Sequence, residues 1–270
     1  MKYDTDEALT VMESAFRHME AAVPPPVPTR GKMGAVPRYS EKTVEQAIVL
    51  KLARLQSALR ASKVLLESGY LNEQALIART IDETNEDVLF LVYGVINDDI
   101  DSVRHCQFLD AFWNTEHDLS SDPSSLVRKP SNVRRSKIQS YIAQKYSLPD
   151  PHTNSEAMKE LHMLYSGFVH GSAPHILDLY DGDPIRLQTS GLAGTRKQES
   201  HEADYWNFLY RGLQSHAFAA HVFGDAEQLA DSLVKYTKLF AKSAGPRLNN
   251  NTQFKLHKRL FIADCCYKHC

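Results

Sequence analysis

VEQAIVLKLARLQSALRASKVLLESGYLNEQALIARTIDETNEDVLFLVYGV, residues 44–95, decides the fold. Val44, Ile48, Leu52, Leu55, Leu59, Ser62 and Leu66 recur every three or four positions, which is helical spacing. Ser40 is the expected cap of this helix and Gly69 its stop. A second helix starts near Asn72, with Ile77, Ile81, Thr84, Val88, Leu91 and Val95 as its apolar face. Two long helices joined by Gly-Tyr-Leu pack antiparallel.

Outward from this pair the same period recurs. Upstream, residues 6–22 carry Leu9, Met12, Phe16 and Met19 at helical spacing. Pro24-Pro25-Pro26-Val27-Pro28 ends that helix, and 23–39 reads as a linker or wrapped arm. Downstream, helices are expected over 101–117, 131–146, from Thr153 or Asn154 to His170-Gly171, 199–223 and 225–244, with a turn-rich 118–130. The pattern breaks at 175–190, where two short runs flank Asp181-Gly182 and predict a β-hairpin. The fold class is therefore all-α, a multi-helix bundle with a small β-hairpin insert. Three segments follow: an N-terminal helix and Pro-rich arm over 1–39, a helical domain over 40–246, and a basic tail over 247–270.

Composition narrows the classes. Apolar residues are 43% and charged residues 24% of 270, enough to bury a core without disulfides. A formal net charge of −2 supplies no global field toward nucleic acid or membrane. Cys106 stands alone, while Cys265, Cys266 and Cys270 crowd the end, which suits a reducing compartment. There is no apolar run of ~18 residues and no apolar leader after Met1, so no membrane partner and a cytoplasmic location are expected.

The chain lacks a phosphate-binding Gly loop, a dinucleotide fingerprint, His-Glu-x-x-His and Gly-x-Ser-x-Gly, and no cofactor is expected. Arg79, Glu83, Glu86 and Phe90 share one helical stripe, with Leu76 beside them. On the helix ending at Gly171, Leu161, Leu164, Tyr165 and Phe168 face a core, and His162, Ser166 and His170 lie on an adjacent face. An unpaired buried charge is costly, so Arg79, Glu83 and His170 are expected in one polar cluster with Tyr165 or Ser166 beside them.

A helix carrying Ala-Arg79-Thr-Ile-Asp-Glu83 followed by Tyr165-Ser166-x-x-x-His170-Gly171-Ser172 resembles an uncharacterised family of helical prokaryotic proteins. The resemblance covers about residues 45–175 and implies convergence of Arg79, Glu83, Tyr165, Ser166 and His170, with no established reaction. The all-helical outline is similar to HEPN proteins, many of which are RNases in defence and toxin–antitoxin systems. Their signature, arginine and then histidine after four to six residues, is met by Arg211-Gly-Leu-Gln-Ser-His216 and in spacing by Arg196 and His201. Chance alone supplies roughly two such spacings here. Arg211 and His216 are thus the alternative catalytic pair, and Gly212 departs from the polar residue usual in that family.

Metal ligation is not expected. His117-Asp118 lacks partner ligands, although His105 is in reach by sequence, and the cysteines at the tail are adjacent rather than spaced for a tetrahedral site. Between Pro123 and Pro149 no acid occurs, whereas Arg128, Lys129, Arg134, Arg135, Lys137 and Lys145 are cationic and Tyr141 and Tyr146 are interleaved. This predicts an exposed cationic helix whose Arg128, Lys129, Arg134, Arg135 and Lys137 contact RNA or another nucleic acid through phosphates. Two function classes follow: an RNA-directed effector, an RNase of HEPN-like type, or a non-catalytic helical interaction module whose polar groups form a structural network. A homodimer through flat apolar faces is compatible with both.

Overall fold

The computed structural model describes residues 4–31, 34–114, 132–145, 151–224 and 227–244. The chain is an all-α bundle with two small antiparallel hairpins. Helix α1 is Thr5–Ala21, capped by the Asp4 carboxylate on the Asp6 amide. It buries Leu9, Met12, Phe16 and Met19, and packs against α2 (Val44–Glu67) and α8 (Arg196–Ala220) as part of the common core.

The arm between α1 and α2 is more ordered than its prolines suggest. Strands β1 (Val27–Gly31) and β2 (Gly34–Arg38) pair antiparallel, with Pro28 opposite Pro37. Neither proline has an N–H, so the pair fits a register position whose amides face away from the ladder. The Tyr39 ring meets Trp113 edge-on at 6.1 Å and ties the arm to α4 (Val103–Asn114).

Helix α2 is capped by Thr43 rather than Ser40. The Thr43 hydroxyl accepts from the Gln46 amide and the Gln46 side chain accepts from the Thr43 amide, a reciprocal capping box. After Ser68 the chain turns through Gly69 at φ +77°, where a Cβ would collide with the backbone of Ala193. The Leu192 amide donates to the Gly69 carbonyl, so glycine there serves both the turn and the approach of a distant loop.

Helix α3 (Leu71–Ile96) is the axis of the molecule, with α2, α8, α5 (Arg135–Lys145) and α6 (Pro151–Val169) packed around it. It is buried on most sides, polar residues included: Asp82, Asn85, Glu86 and Asp87 are each at most 7% exposed. α8 and α9 (Glu227–Ala244) pair and close the bundle. No helix among the described residues is long and apolar enough to cross a membrane.

The second hairpin lies where expected but is shorter. β3 (Tyr180–Asp181) and β4 (Arg186–Leu187) hold two residues each. The stretch from His175 expected as a strand is instead helix α7 (Ala173–Ile176) and a 3-10 turn, Leu177–Leu179. Ser172 is extended and Pro174 follows inside the first turn, which is a helix start. The turn-rich 118–130 segment, His117-Asp118, Tyr146, and the basic tail from Arg247 with Cys265, Cys266 and Cys270 lie outside the described residues.

Candidate functional site

Helix α3 presents Arg79 and Glu83 four residues apart, and α6 presents His162 and Ser166 with the same spacing. The two stripes meet. Arg79 Nε donates to Glu83 Oε1 at 3.1 Å, Nη1 to Ser166 Oγ at 3.2 Å, and Nη2 to His162 Nε2 at 3.3 Å. A guanidinium only donates, so His162 Nε2 is the bare nitrogen and Nδ1 carries the proton. That Nδ1 faces Glu83 Oε1 at 3.6 Å. Burial and the neighbouring Arg79 hold the His162 imidazole below its ordinary value against the pull of Glu83, leaving it neutral at pH 7. The side chains are half-buried: 24% of Arg79, 33% of Glu83 and 28% of His162 stay accessible.

Of the expected members, Arg79, Glu83 and Ser166 thus come together. Tyr165 is 3% exposed and turns into the core, its ring edge-on to Phe208 at 6.1 Å. His170 is exposed at the end of the helix, where its main-chain amide donates to the Ser166 carbonyl. His162, one turn before Ser166, takes the place expected for His170. Spacing could have found it, because 162, 166 and 170 share one stripe. Only the crossing point of α6 on α3 selects between its ends.

The Arg211 and His216 pair is built into the core. Arg211 is ion-paired with Asp82, and both side chains are under a tenth exposed. His216 is fully buried; its Nδ1 donates to the Gly212 carbonyl at 2.7 Å and its Nε2 meets Gln56 Nε2 at 3.4 Å. Burial pushes its imidazole down to about 4. Five residues apart on a helix, the two side chains diverge by about 140°, one toward α3 and the other toward α2. A Cβ on Gly212 would press on Leu59 and Met12, so glycine there permits the close crossing of α8 over α1 and α2. His201 also serves structure, its Nδ1 set 2.7 Å from Gln74 Oε1.

The cationic helix is only partly available to phosphates. Arg134 and Lys137 are exposed on and beside α5. Arg135 is not: Nη1 donates to Asp87 Oδ1 at 2.6 Å and to Glu86 Oε2 at 3.4 Å. Lys51 Nζ completes this network on Asp87 Oδ2 at 2.7 Å, and Gln139 Nε2 donates to Glu86 Oε1 at 3.0 Å. Lys145 binds Asp99. The compensating acids come from α3 and the loop after it, distant in sequence, and so were invisible in the 123–149 window. Arg128 and Lys129 lie outside the described residues.

His105 is a core residue: fully buried, stacked on Phe90 at 4.1 Å, with Nδ1 facing the Ser102 hydroxyl and Nε2 facing the Phe90 carbonyl. Among the described residues no group of three His, Cys, Asp or Glu side chains is placed to hold a metal ion. No known protein-family model, curated protein or solved structure matches the chain.

Proposed function

We propose that this protein is an RNA-directed effector, an RNase acting in the cytoplasm in prokaryotic defence or stress response, with a site on α3 and α6 rather than at the buried Arg211 and His216 spacing. The observation that carries this reading is the hydrogen-bonded Arg79 and His162 pair on a half-exposed face, with the imidazole neutral and its basic nitrogen defined. A neutral imidazole can remove a proton from a ribose 2′-hydroxyl, and a guanidinium can stabilise the charge on the attacked phosphate. In that step the 2′-oxygen bonds to phosphorus as its proton passes to His162, the bond from phosphorus to the 5′-oxygen breaks and that oxygen leaves with a proton from water, the imidazolium returns its proton to the hydroxide formed, and a 2′,3′-cyclic phosphate remains. Arg79 exchanges His162 for the phosphate, Glu83 keeps the Nδ1 proton facing it, and Ser166 holds the guanidinium in place. The test is cleavage of a single-stranded RNA by the full chain. His162→Gln should slow it about 10²–10⁴-fold without moving the melting temperature, with cyclic phosphate ends on the products. A chain that cleaves no RNA, or cleaves equally well as His162→Gln, overturns the reading.

One observation favours a second reading, the non-catalytic module. All three nitrogens of Arg79 already have partners, as a structural network requires. In that case His162→Gln should lower stability first and alter no reaction.

A homodimer forms part of the proposal. Met163, Leu164, Val169, Ile176, Leu177, Tyr180, Ile185 and Leu187 are all 44–67% exposed. They sit on elements in mutual contact, from α6 through α7 to the hairpin. Exposed apolar side chains gathered on neighbouring elements suit a second copy of the chain.

A further inference from the structure

The bundle holds a second polar feature outside the Arg79 cluster, which joins Lys137 and Tyr141 of the cationic helix to cations of two other helices. It is an open cleft of about 330 Å³ between α4, α5 and α6, lined by Arg104, Ser136, Lys137, Ser140, Tyr141, Gln144 and Lys159. That volume is about ten times the ~30 Å³ share of one water molecule. Three cations from three helices line it, and no acid does. Lys159 is already paired with Glu156 at 2.6 Å, and Asp99 is engaged by Lys145 and the Tyr141 hydroxyl. The Arg104 guanidinium lies over the Tyr141 ring, 5.6 Å from its centroid, which holds a long side chain at the cleft without neutralising it. Lys137 is exposed with no acidic partner among the described residues, and the Ser136 hydroxyl adds a donor, while the Ser140 hydroxyl already donates to the Ser136 carbonyl at 2.8 Å. Arg104 and Lys137 converging beside the Ser136 hydroxyl, with no acid paired to either among the described residues, are the chemistry of a phosphate site.

Its position ties it to the cluster. Lys159 and His162 are three apart on α6, so their Cβ atoms lie about 5–6 Å apart on one face. We propose that this cleft is a backbone-phosphate subsite that holds single-stranded RNA beside the Arg79 and His162 pair. The ligand assignment rests on the RNase reading; the phosphate chemistry of the cleft does not.

The test uses the full chain and a fluorescein-labelled single-stranded oligoribonucleotide, followed by anisotropy across a salt series. Arg104→Glu with Lys137→Glu is compared with Arg54→Glu with Lys235→Glu, an equal charge change at exposed cations off the cleft. The cleft variant should bind about tenfold more weakly than that control at low salt. Its slope of log affinity against log salt should be shallower by about 0.7 for each phosphate that the cleft no longer neutralises. Where the double variant does not fold, Lys137→Glu alone, at an exposed position, carries the comparison. Binding no weaker than the control, an unchanged slope, or no binding by the wild-type chain overturns the subsite. Inorganic phosphate at millimolar concentration should leave the strand bound; full displacement marks a free-phosphate site and overturns the strand assignment. Cleavage is scored separately. A chain that binds through the cleft but cleaves nothing loses the RNase reading and keeps the subsite. A chain whose cleavage needs His162 while cleft variants bind normally does the reverse.

Discussion

Glu86 lies on the inward side of α3, its carboxylate held by Gln139 and by Arg135. Burial outweighs both partners and pushes its carboxyl up to about 7. A carboxyl raised on folding binds its proton more tightly in the folded chain. Its contribution to stability is therefore complete below about 4.5 and is lost as pH rises toward 7. His216 has the opposite sign. Lowered from 6.5 to about 4, it contributes fully above 6.5 and loses that contribution as pH falls toward 4. Each effect is on the order of 3 kcal/mol, so the two oppose one another across the acid range. Glu86→Gln should expose the histidine: its unfolding free energy in urea should fall clearly as pH drops from about 6.5 to 4.5, while the wild-type curve stays flatter. Parallel curves for the two proteins would show that Glu86 is not raised. In the sequence Glu86 was visible only as a member of the Arg79 stripe. Arg79, Glu83 and Ser166 were legible because helical spacing alone pairs them within α3 and within α6. The choice of His162 over His170, the inward turn of Tyr165, and the partners of Glu86 depend on where α5 and α6 cross α3, and no local pattern encodes that.

Elements are held to one another by polar pairs as well as by apolar packing. α8 is fastened to α3 by the Asp82 and Arg211 ion pair and by the Ser215 hydroxyl, which donates to Asn85 Oδ1 at 2.6 Å. Removing one member of a buried pair strands the other charge. Arg211→Met should cost about 3–5 kcal/mol in urea unfolding, whereas Asp82→Leu combined with Arg211→Met should recover most of that loss. A double variant as unstable as the sum of its singles would show that the two residues act independently. The longer helices were legible, since they carry an apolar period of three to four residues. Three features were not. The arm hairpin hides behind prolines that usually break structure. Helix α7 starts on Ser172 and Pro174, inside a run that alternates like a strand. Arg135 of α5 is balanced by Asp87 and Glu86, about fifty residues earlier in the chain. Sequence windows measure local charge, but compensation in a bundle comes from whichever helix packs alongside.

At the scale of the whole molecule, the proposed homodimer would form through the exposed apolar side chains from α6 to the second hairpin. Half-exposed side chains such as Met163, Leu177, Tyr180 and Ile185 contrast with a core whose large residues are almost wholly buried. Eight side chains of this size amount to several hundred Å², on the scale of the ~800 Å² that each partner contributes to a standard interface. The surface shares α6 with the Arg79 cluster, on the same turns that carry His162 and Ser166. A two-fold contact there would be isologous, each copy offering the same patch to the other. The wild-type chain should therefore sediment as a dimer at tens of micromolar. Leu177→Glu with Ile185→Glu should shift it to monomer without lowering the melting temperature, because both side chains are exposed in the single chain. A wild-type chain that remains monomeric at that concentration, or a variant that stays dimeric, removes this surface as the contact. If the variant is monomeric and its RNA cleavage is unchanged, the Arg79 and His162 site is complete within one chain. If cleavage falls with the dimer, the second copy supports the site across the face of α6.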